Sequence, residues 1–347
     1  MEKYRELIDR LAKNQDLEND ELAFLIDHRT EKSAAYLAEQ AQKVAVEQFG
    51  HQIYIRGLIE FTSFCKNDCY YCGLRKSNTE AKRYRLREEE ILECCQAGYQ
   101  LGFRTFVLQG GEDGYFTDER ICHLVSAIKK EYPDCAITLS IGEKSRESYK
   151  KYREAGADRY LLRHETADSK HYSLLHPQNL TLENRMRCLK DLKELGYQTG
   201  CGFMVGTIGQ TTEHLVKELR FLQEFQPQMV GIGPFIPHKD TPFRDKEAGS
   251  AELTVFLLGI IRLMFPRVLL PATTALGSIK KDGRERGILA GANVIMPNLS
   301  PEEVREKYLL YNNKLHGGSD AAENKRLLEA QMNAIGYHLV TDRGDYR

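Results

Sequence analysis

The chain has 347 residues, 41% hydrophobic and 29% charged, with a formal net charge of -1. This composition fits a folded globular protein rather than a disordered one, and the balanced charge gives no electrostatic reason to expect nucleic acid or an anionic membrane as partner. The longest apolar run, 253–261, is too short to span a bilayer, the opening Met-Glu-Lys-Tyr-Arg is no apolar signal, and nine cysteines in no disulfide-like framework suit a reducing cytoplasm.

Residues 1–50 read as helices: Tyr4, Leu7, Ile8 and Leu11 recur at helical spacing, as do Leu22, Leu25 and Ile26, and a further helix over 29–49 closes at Gly50. We expect a helical lead-in covering one end of a barrel. From residue 52 the pattern alternates. Apolar, β-branched runs fall at 53–62, 105–109, 136–141, 159–165, 198–205, 229–235, 269–276 and 293–296, with helices expected near 87–101, 117–131, 145–155, 181–195, 211–225, 250–264 and 282–290. Strands alternating with helices pair in parallel, and the count matches one full (β/α)8 TIM barrel over 51–300. An open doubly wound sheet is the alternative. The barrel is preferred because polar residues recur at the strands' C-terminal ends. Beyond 300 a C-terminal helical cap is expected, with Ser300-Pro301 starting one helix and 320–335 forming another.

The chemistry concentrates in Cys65-Lys66-Asn67-Asp68-Cys69-Tyr70-Tyr71-Cys72, directly after the first strand run. Thiolates suit iron–sulfur clusters or zinc. Both normally take four protein ligands, and this loop offers three. Packing cysteines, or a structural zinc with a distant His, are the plain alternatives. A cluster held by three cysteines leaves one iron open to a small molecule. In this the loop resembles the radical-SAM superfamily, including the aromatic Tyr71 before the last Cys. Cys94, Cys95, Cys122, Cys135, Cys188 and Cys201 sit inside helix or strand patterns and read as packing residues.

Alternation then sorts the strands. Arg56 and Glu60 share an inward face of the first, so Arg56 needs an anionic ligand or pairs with Glu60. Gly110-Gly111-Glu112 closes the second, where glycines admit a ligand to the backbone, and Gln109 looks inward. The segment resembles the superfamily's Gly-Gly-Glu, which holds the amino group of S-adenosylmethionine. Thr138 and Ser140 share a face of the third strand. On the fourth, Arg163 and Glu165 suit a zwitterionic or anionic ligand, Arg185 in the next helix is placed to reach its other end, and His164 reads as packed. Gly231-Ile232-Gly233-Pro234 is either a flat adenine contact or a tight turn. Thr273 and Thr274 end the seventh strand, Met296 the eighth, and Tyr308 is placed to cover the mouth. Lys82-Arg83-Tyr84-Arg85 is a solvated face or a lid.

The segments 56–73, 108–113, 160–166, 230–238, 271–275 and 293–298 together resemble the HydE-type maturases of FeFe-hydrogenase, radical-SAM enzymes related to biotin synthase. The resemblance implies that Cys65, Cys69 and Cys72 bind a 4Fe–4S cluster. It implies that S-adenosylmethionine takes the open iron, with Tyr71, Gly110, Gly111, Glu112, Ser140, Glu165 and Arg185 holding it. Reductive cleavage would yield a 5′-deoxyadenosyl radical. Arg56, Gln109, Thr138, Arg163, Thr273, Thr274, Met296 and Tyr308 would line the substrate cavity. The implied substrate is a small cysteine-bound iron carbonyl–cyanide anion. The implied partners are sister maturases and an electron donor such as ferredoxin or flavodoxin. No Cys follows Cys201, so one cluster is expected. A methylornithine synthase-like amino-acid mutase, or a non-catalytic iron–sulfur electron-transfer module, are the rival functions.

Overall fold

The computed structural model describes residues 2–315 and 320–347. Three helices open the chain, α1 (Lys3–Asn14), α2 (Asn19–Asp27) and α3 (Glu31–Phe49). Then come β1 (Gln52–Ile55), β2 (Gly57–Thr62), α4 (Glu88–Gln100), β3 (Thr105–Gly110), α5 (Asp118–Glu131), β4 (Ala136–Ser140), α6 (Arg146–Glu154) and β5 (Arg159–Leu161). The next elements are α7 (Ser169–Leu175), α8 (Leu182–Glu194), β6 (Gln198–Cys201), β7 (Met204–Val205), α9 (Thr212–Phe225), β8 (Met229–Val230), β9 (Gly233–Pro234) and α10 (Ala251–Met264). The chain ends with α11 (Thr274–Ile279), α12 (Gly283–Leu289), β10 (Val294–Ile295), α13 (Glu302–Arg305), α14 (Ala321–Ala334) and β11 (His338–Val340).

The helix starts follow capping chemistry. Side chains of Thr30, Thr117, Ser145, Thr181, Thr211 and Ser250 each accept the amide three residues on, filling donors that a helix N-terminus leaves open. Helix α10 is apolar on almost every face because α3 packs over it. Among the described residues no helix is long and apolar enough to cross a membrane.

The sheet is parallel throughout. Six strands run in the order β2-β3-β4-β5-β6-β8, three in the order β10-β1-β11, and β7 pairs with β9. Isolated parallel bridges join Met229 to Leu269, Pro271 to Val294 and Leu58 to Asn298. The chain is therefore α/β with a parallel sheet, but regular ladders stop short of the expected continuous eight-stranded ring. The expected seventh strand, 269–276, is reduced to bridges at Leu269 and Pro271 before the chain turns into α11 at Thr274. The other runs carry ladders, though β5 ends at Leu161, short of 165. The tail gains β11, which pairs with β1 and was not expected from sequence. The helix expected at Ser300 is a single turn, Glu302–Arg305, with Pro301 rather than Ser300 at its N-cap position and no side-chain capping bond.

Candidate active site

The cysteine loop leaves the end of β2 and is fixed from four sides. Lys66 N donates to Glu112 O (3.0 Å), Tyr70 N to Leu175 O (3.0 Å) and Gly73 N to Leu310 O (2.9 Å). The Arg83 guanidinium donates to the carbonyls of Ser63 (2.5 Å), Leu74 (2.9 Å) and Arg75 (2.7 Å). The basic run 82–85 thus supplies a loop clamp. Arg85 next to it pairs with Asp113 at 2.7 Å, and Arg75 pairs with Asp68, holding that carboxyl well below its ordinary range.

Cys65, Cys69 and Cys72 are free and partly exposed. Burial raises all three thiols above their ordinary value, Cys72 to about 12. They would release protons on ligating iron. Among the described residues no three His, Cys, Asp or Glu side chains converge as ligands of a single ion. A cubane, whose irons sit at separate corners, asks for no such convergence. The Gly-Gly-Glu segment lies directly against this loop, since a Cβ on Gly111 would stand 2.7 Å from Cys65 Cβ. Gly142, at φ +76°, gives the same close passage to the Glu112 side chain.

From the loop a polar path runs across the strand ends. Lys66 Nζ stands 3.2 Å from Glu112 Oε2, and Glu112 Oε1 accepts Glu143 N (2.8 Å). The Glu143 carboxylate takes Arg185 Nε (2.5 Å) and Asn184 Nδ2 (2.6 Å). Arg185 Nη1 donates to Arg163 O (2.6 Å), and Arg163 faces Glu165 at 3.0 Å. Burial alone would lower the Arg185 guanidinium, but Tyr172 and Glu143 outweigh it and hold it well above its ordinary value. Glu165 adopts φ +65°, a costly conformation for a non-glycine residue that the surrounding structure must enforce.

Beside this path lies a cavity of about 290 Å³. Tyr71, Cys72, Gln109, Gly110, Ser140, Arg163, Glu165, Arg185 and Tyr308 all line it, together with Pro234 at the end of β9 and Phe235 and Ile236 after it. Several buried groups keep unused hydrogen-bonding capacity: Arg163 Nε and Nη2, and Glu165 Oε2, have no aligned partner despite the short Arg163–Glu165 approach. Unpartnered buried polar atoms are uncommon in native proteins, and those of Arg163 and Glu165 border this cavity. The residues present fit a cluster on the three thiols and a zwitterionic cofactor against Glu112, Glu165 and Arg185.

Other expected site residues lie elsewhere. Thr138 and Thr273 are outside the cavity wall, each with a buried hydroxyl lacking a partner. Thr274 and Met296 border a pocket of only about 20 Å³ with Glu60 and Lys314. Arg56 is buried but does not reach the cavity or Glu60. It touches Met229 Sδ (2.9 Å) and Gly344 O (3.5 Å), and burial pushes its guanidinium well below its ordinary value. Arg56 falls between β1 and β2, and four residues at about 3.3 Å each separate it from Glu60 along the chain. Glu60 is claimed by Lys314 (2.5 Å) and Asn298 (2.8 Å). His164 is packed as expected, 2.7 Å from Glu218. Sequence reasoning missed Glu143, His176, Arg83 as a clamp, and Lys314. Only Arg83 lay in a motif already noticed.

Known proteins bear on this arrangement. The Radical SAM superfamily matches residues 59–222. The FeFe hydrogenase maturase subunit HydE of Thermotoga maritima is 48% identical over 279 residues, covering 80% of this chain and 79% of that one. The 3-methylornithine synthase of Methanosarcina acetivorans is 31% identical over 309 residues, 88% of this chain and 87% of its own. Among solved structures, methylornithine synthase (PylB) superposes with a TM-score of 0.84 at 27% identity, over 96% of this chain and 97% of that one. HydG, a maturase of the FeFe-hydrogenase, gives 0.81 at 21% identity over 97% of this chain and 76% of its own, a likeness of fold. Identity near one residue in two along four-fifths of the chain carries more than fold, and the chain belongs to the HydE-type FeFe-hydrogenase maturases of the radical-SAM superfamily.

Proposed function

We propose that the chain cleaves S-adenosylmethionine reductively during assembly of the hydrogenase di-iron subcluster, acting on a small cysteine-bound iron carbonyl–cyanide anion. The observation that carries this reading is the unbroken polar path from Lys66 through Glu112, Glu143, Arg185 and Arg163 to Glu165. It connects the cysteine loop to a cavity whose charged groups retain unpaired atoms.

Cys65, Cys69 and Cys72 would hold a single 4Fe–4S cluster. When bound and reduced, the cluster supplies the electron that splits the sulfonium into methionine and a 5′-deoxyadenosyl radical. Glu112 and Glu165 would accept hydrogen bonds from the cofactor's ammonium and ribose hydroxyls, and Arg185 would hold its carboxylate. Gly110 and Gly111 leave the backbone open to it, with Ser140 and Tyr71 on the flanks. Arg163, Gln109 and Tyr308 would bind the substrate, while the buried hydroxyls of Thr138 and Thr273 lie outside the cavity wall. Thr274 and Met296 border the separate small pocket with Glu60 and Lys314. Arg56 lies apart from the cavity, against Met229 and Gly344. Pro234, Phe235 and Leu162 give the cavity an apolar wall that would limit water around the reacting groups.

The three sheets with their bridges support one closed (β/α)8 barrel over 51–300, with a helical lead-in at 1–50 and a helical cap from 301. Nine free cysteines suit a reducing, cytoplasmic site, and the likeness to a hydrogenase maturase supports sister maturases as partners, with a ferredoxin or flavodoxin as the proposed electron donor. The paired charges of Arg163 and Glu165 also suit an amino acid, so a methylornithine synthase-like mutase is the second reading.

The test is anaerobic incubation of the reconstituted, reduced protein with S-adenosylmethionine. 5′-Deoxyadenosine should appear, and Cys69→Ala should abolish it along with bound iron and sulfide. An intact cluster with no 5′-deoxyadenosine would instead indicate an electron-transfer module.

A further inference from the structure

A second feature converges on the cysteine loop from α7, an element no sequence motif marked. The chain leaves Glu165, enters α7, and returns at Leu175-His176 to touch the loop twice. Leu175 O takes the Tyr70 amide, and His176 Nε2 lies 3.2 Å from the Tyr71 hydroxyl. The Tyr71 and His176 rings meet edge to face at 5.4 Å between centroids, while His176 stacks on Tyr172 at 3.9 Å. His176 is buried at 1% exposure.

The tautomer follows from the neighbours. His176 Nδ1 is 3.1 Å from Tyr172 O, a carbonyl that can only accept, so Nδ1 carries the proton. Burial, with the nearby Arg185 charge, pushes the imidazole down to about 3, so it stays neutral at working pH. Nε2 is then a bare acceptor, and the Tyr71 hydroxyl donates to it.

We propose that His176 is a positioning residue for S-adenosylmethionine binding: its Nε2 accepts the Tyr71 hydroxyl and fixes that ring in the cavity wall beside Cys72. This rests on the reading of the cavity as the S-adenosylmethionine site. Glu165 and His176 bracket α7, and α7 is pinned between them. Asp168 caps its N-terminus, and His171 bridges Thr166 Oγ1 (3.0 Å) and Ile208 O (3.0 Å). One short helix therefore couples the Glu165 carboxylate on one side to the cluster-loop aromatic Tyr71 on the other.

Three substitutions isolate the contact. Tyr71→Phe removes the donor and keeps the ring. His176→Phe removes the acceptor and keeps the stack on Tyr172. His176→Gln returns an acceptor near the Nε2 position. The readout is the dissociation constant for S-adenosylmethionine, followed by the change it induces in the electron paramagnetic resonance spectrum of the reduced cluster, alongside iron and sulfide content. One neutral hydrogen bond corresponds to a weakening of about threefold to tenfold. Tyr71→Phe and His176→Phe should each weaken binding by that factor with full iron and sulfide. The double variant should be no worse than either, and His176→Gln should recover most of the loss. Wild-type affinity in Tyr71→Phe would overturn the proposal, whatever His176→Phe does to the loop, as would additive losses in the double variant. A spectrum of the wild-type cluster indifferent to S-adenosylmethionine would instead remove the cofactor reading on which it rests.

Discussion

Lys314 is the residue whose loss should be felt most sharply outside the cysteine loop. Its ammonium lies 2.5 Å from Glu60 Oε1, and the two side chains are 5% and 1% exposed. It also donates to Tyr308 O at 3.0 Å, so it fixes the segment that brings Tyr308, Leu310 and Tyr311 to the cavity. Lys314→Met leaves the Glu60 carboxylate buried with the Asn298 amide on its other oxygen and no compensating charge. Breaking a buried ion pair from one side costs about 3–5 kcal/mol, whereas removing both charges is often neutral. Urea unfolding of the anaerobic protein, compared through midpoints at constant slope, should therefore show Lys314→Met strongly destabilised. The pair Glu60→Gln with Lys314→Met should regain most of the loss. 5′-Deoxyadenosine formation should fall in the single variant as the segment loosens. A Lys314→Met protein within about 0.5 kcal/mol of wild type, the range of an ordinary surface change, would refute the buried-pair argument. So would a double variant as damaged as the single.

Three further expectations can be checked with the same preparations. Arg163→Ala should keep its iron and sulfide yet lose turnover at least tenfold, because it removes a cavity charge without touching the cysteine loop; full turnover would make Arg163 structural. Glu165→Gly relieves the φ +65° backbone, so its stability should change by no more than about 1 kcal/mol while S-adenosylmethionine affinity falls at least tenfold; equal affinity would remove Glu165 from the site. For pH, the His176 imidazole is lowered to about 3 by burial, so between its unfolded value of about 6.5 and about 3 the unfolded chain binds a proton that the native chain does not. Its contribution is constant above about pH 6.5 and stability declines as pH falls below it, by about 2 kcal/mol at pH 5 from this one group. His176→Phe should flatten that decline, and an unchanged slope would show that the native ring is solvated.

Local chemistry was readable where one residue type settles one conformation. Helix starts at Thr30, Thr117, Ser145, Thr181, Thr211 and Ser250 follow from their side chains, and these helices fall within a residue or two of expectation. The cysteine loop and the Gly-Gly-Glu segment stood out as motifs, each with a plainer reading, and their adjacency, Gly111 against Cys65, came only with the structure. What sequence hid were quantities set by tertiary position. Arg56 shows that alternation does not give a side chain's depth or its partner, here Met229 and Gly344 in place of Glu60. Glu143, His176 and Lys314 looked like ordinary polar residues, since their partners are 42, 105 and 254 residues away. The apolar run after Leu269 satisfied a strand pattern, yet its backbone goes into α11. A short apolar run cannot by itself choose between strand and helix.

The most direct test of the account is an anaerobic maturation assay. Apo-hydrogenase is mixed with the sister maturases, S-adenosylmethionine and reductant, with and without this protein, and hydrogen evolution is followed. The account predicts hydrogen only when the protein is present and none with Cys69→Ala. Hydrogen at the same rate without it, or none with it while S-adenosylmethionine is still cleaved, would contradict the maturase assignment and favour an amino-acid substrate.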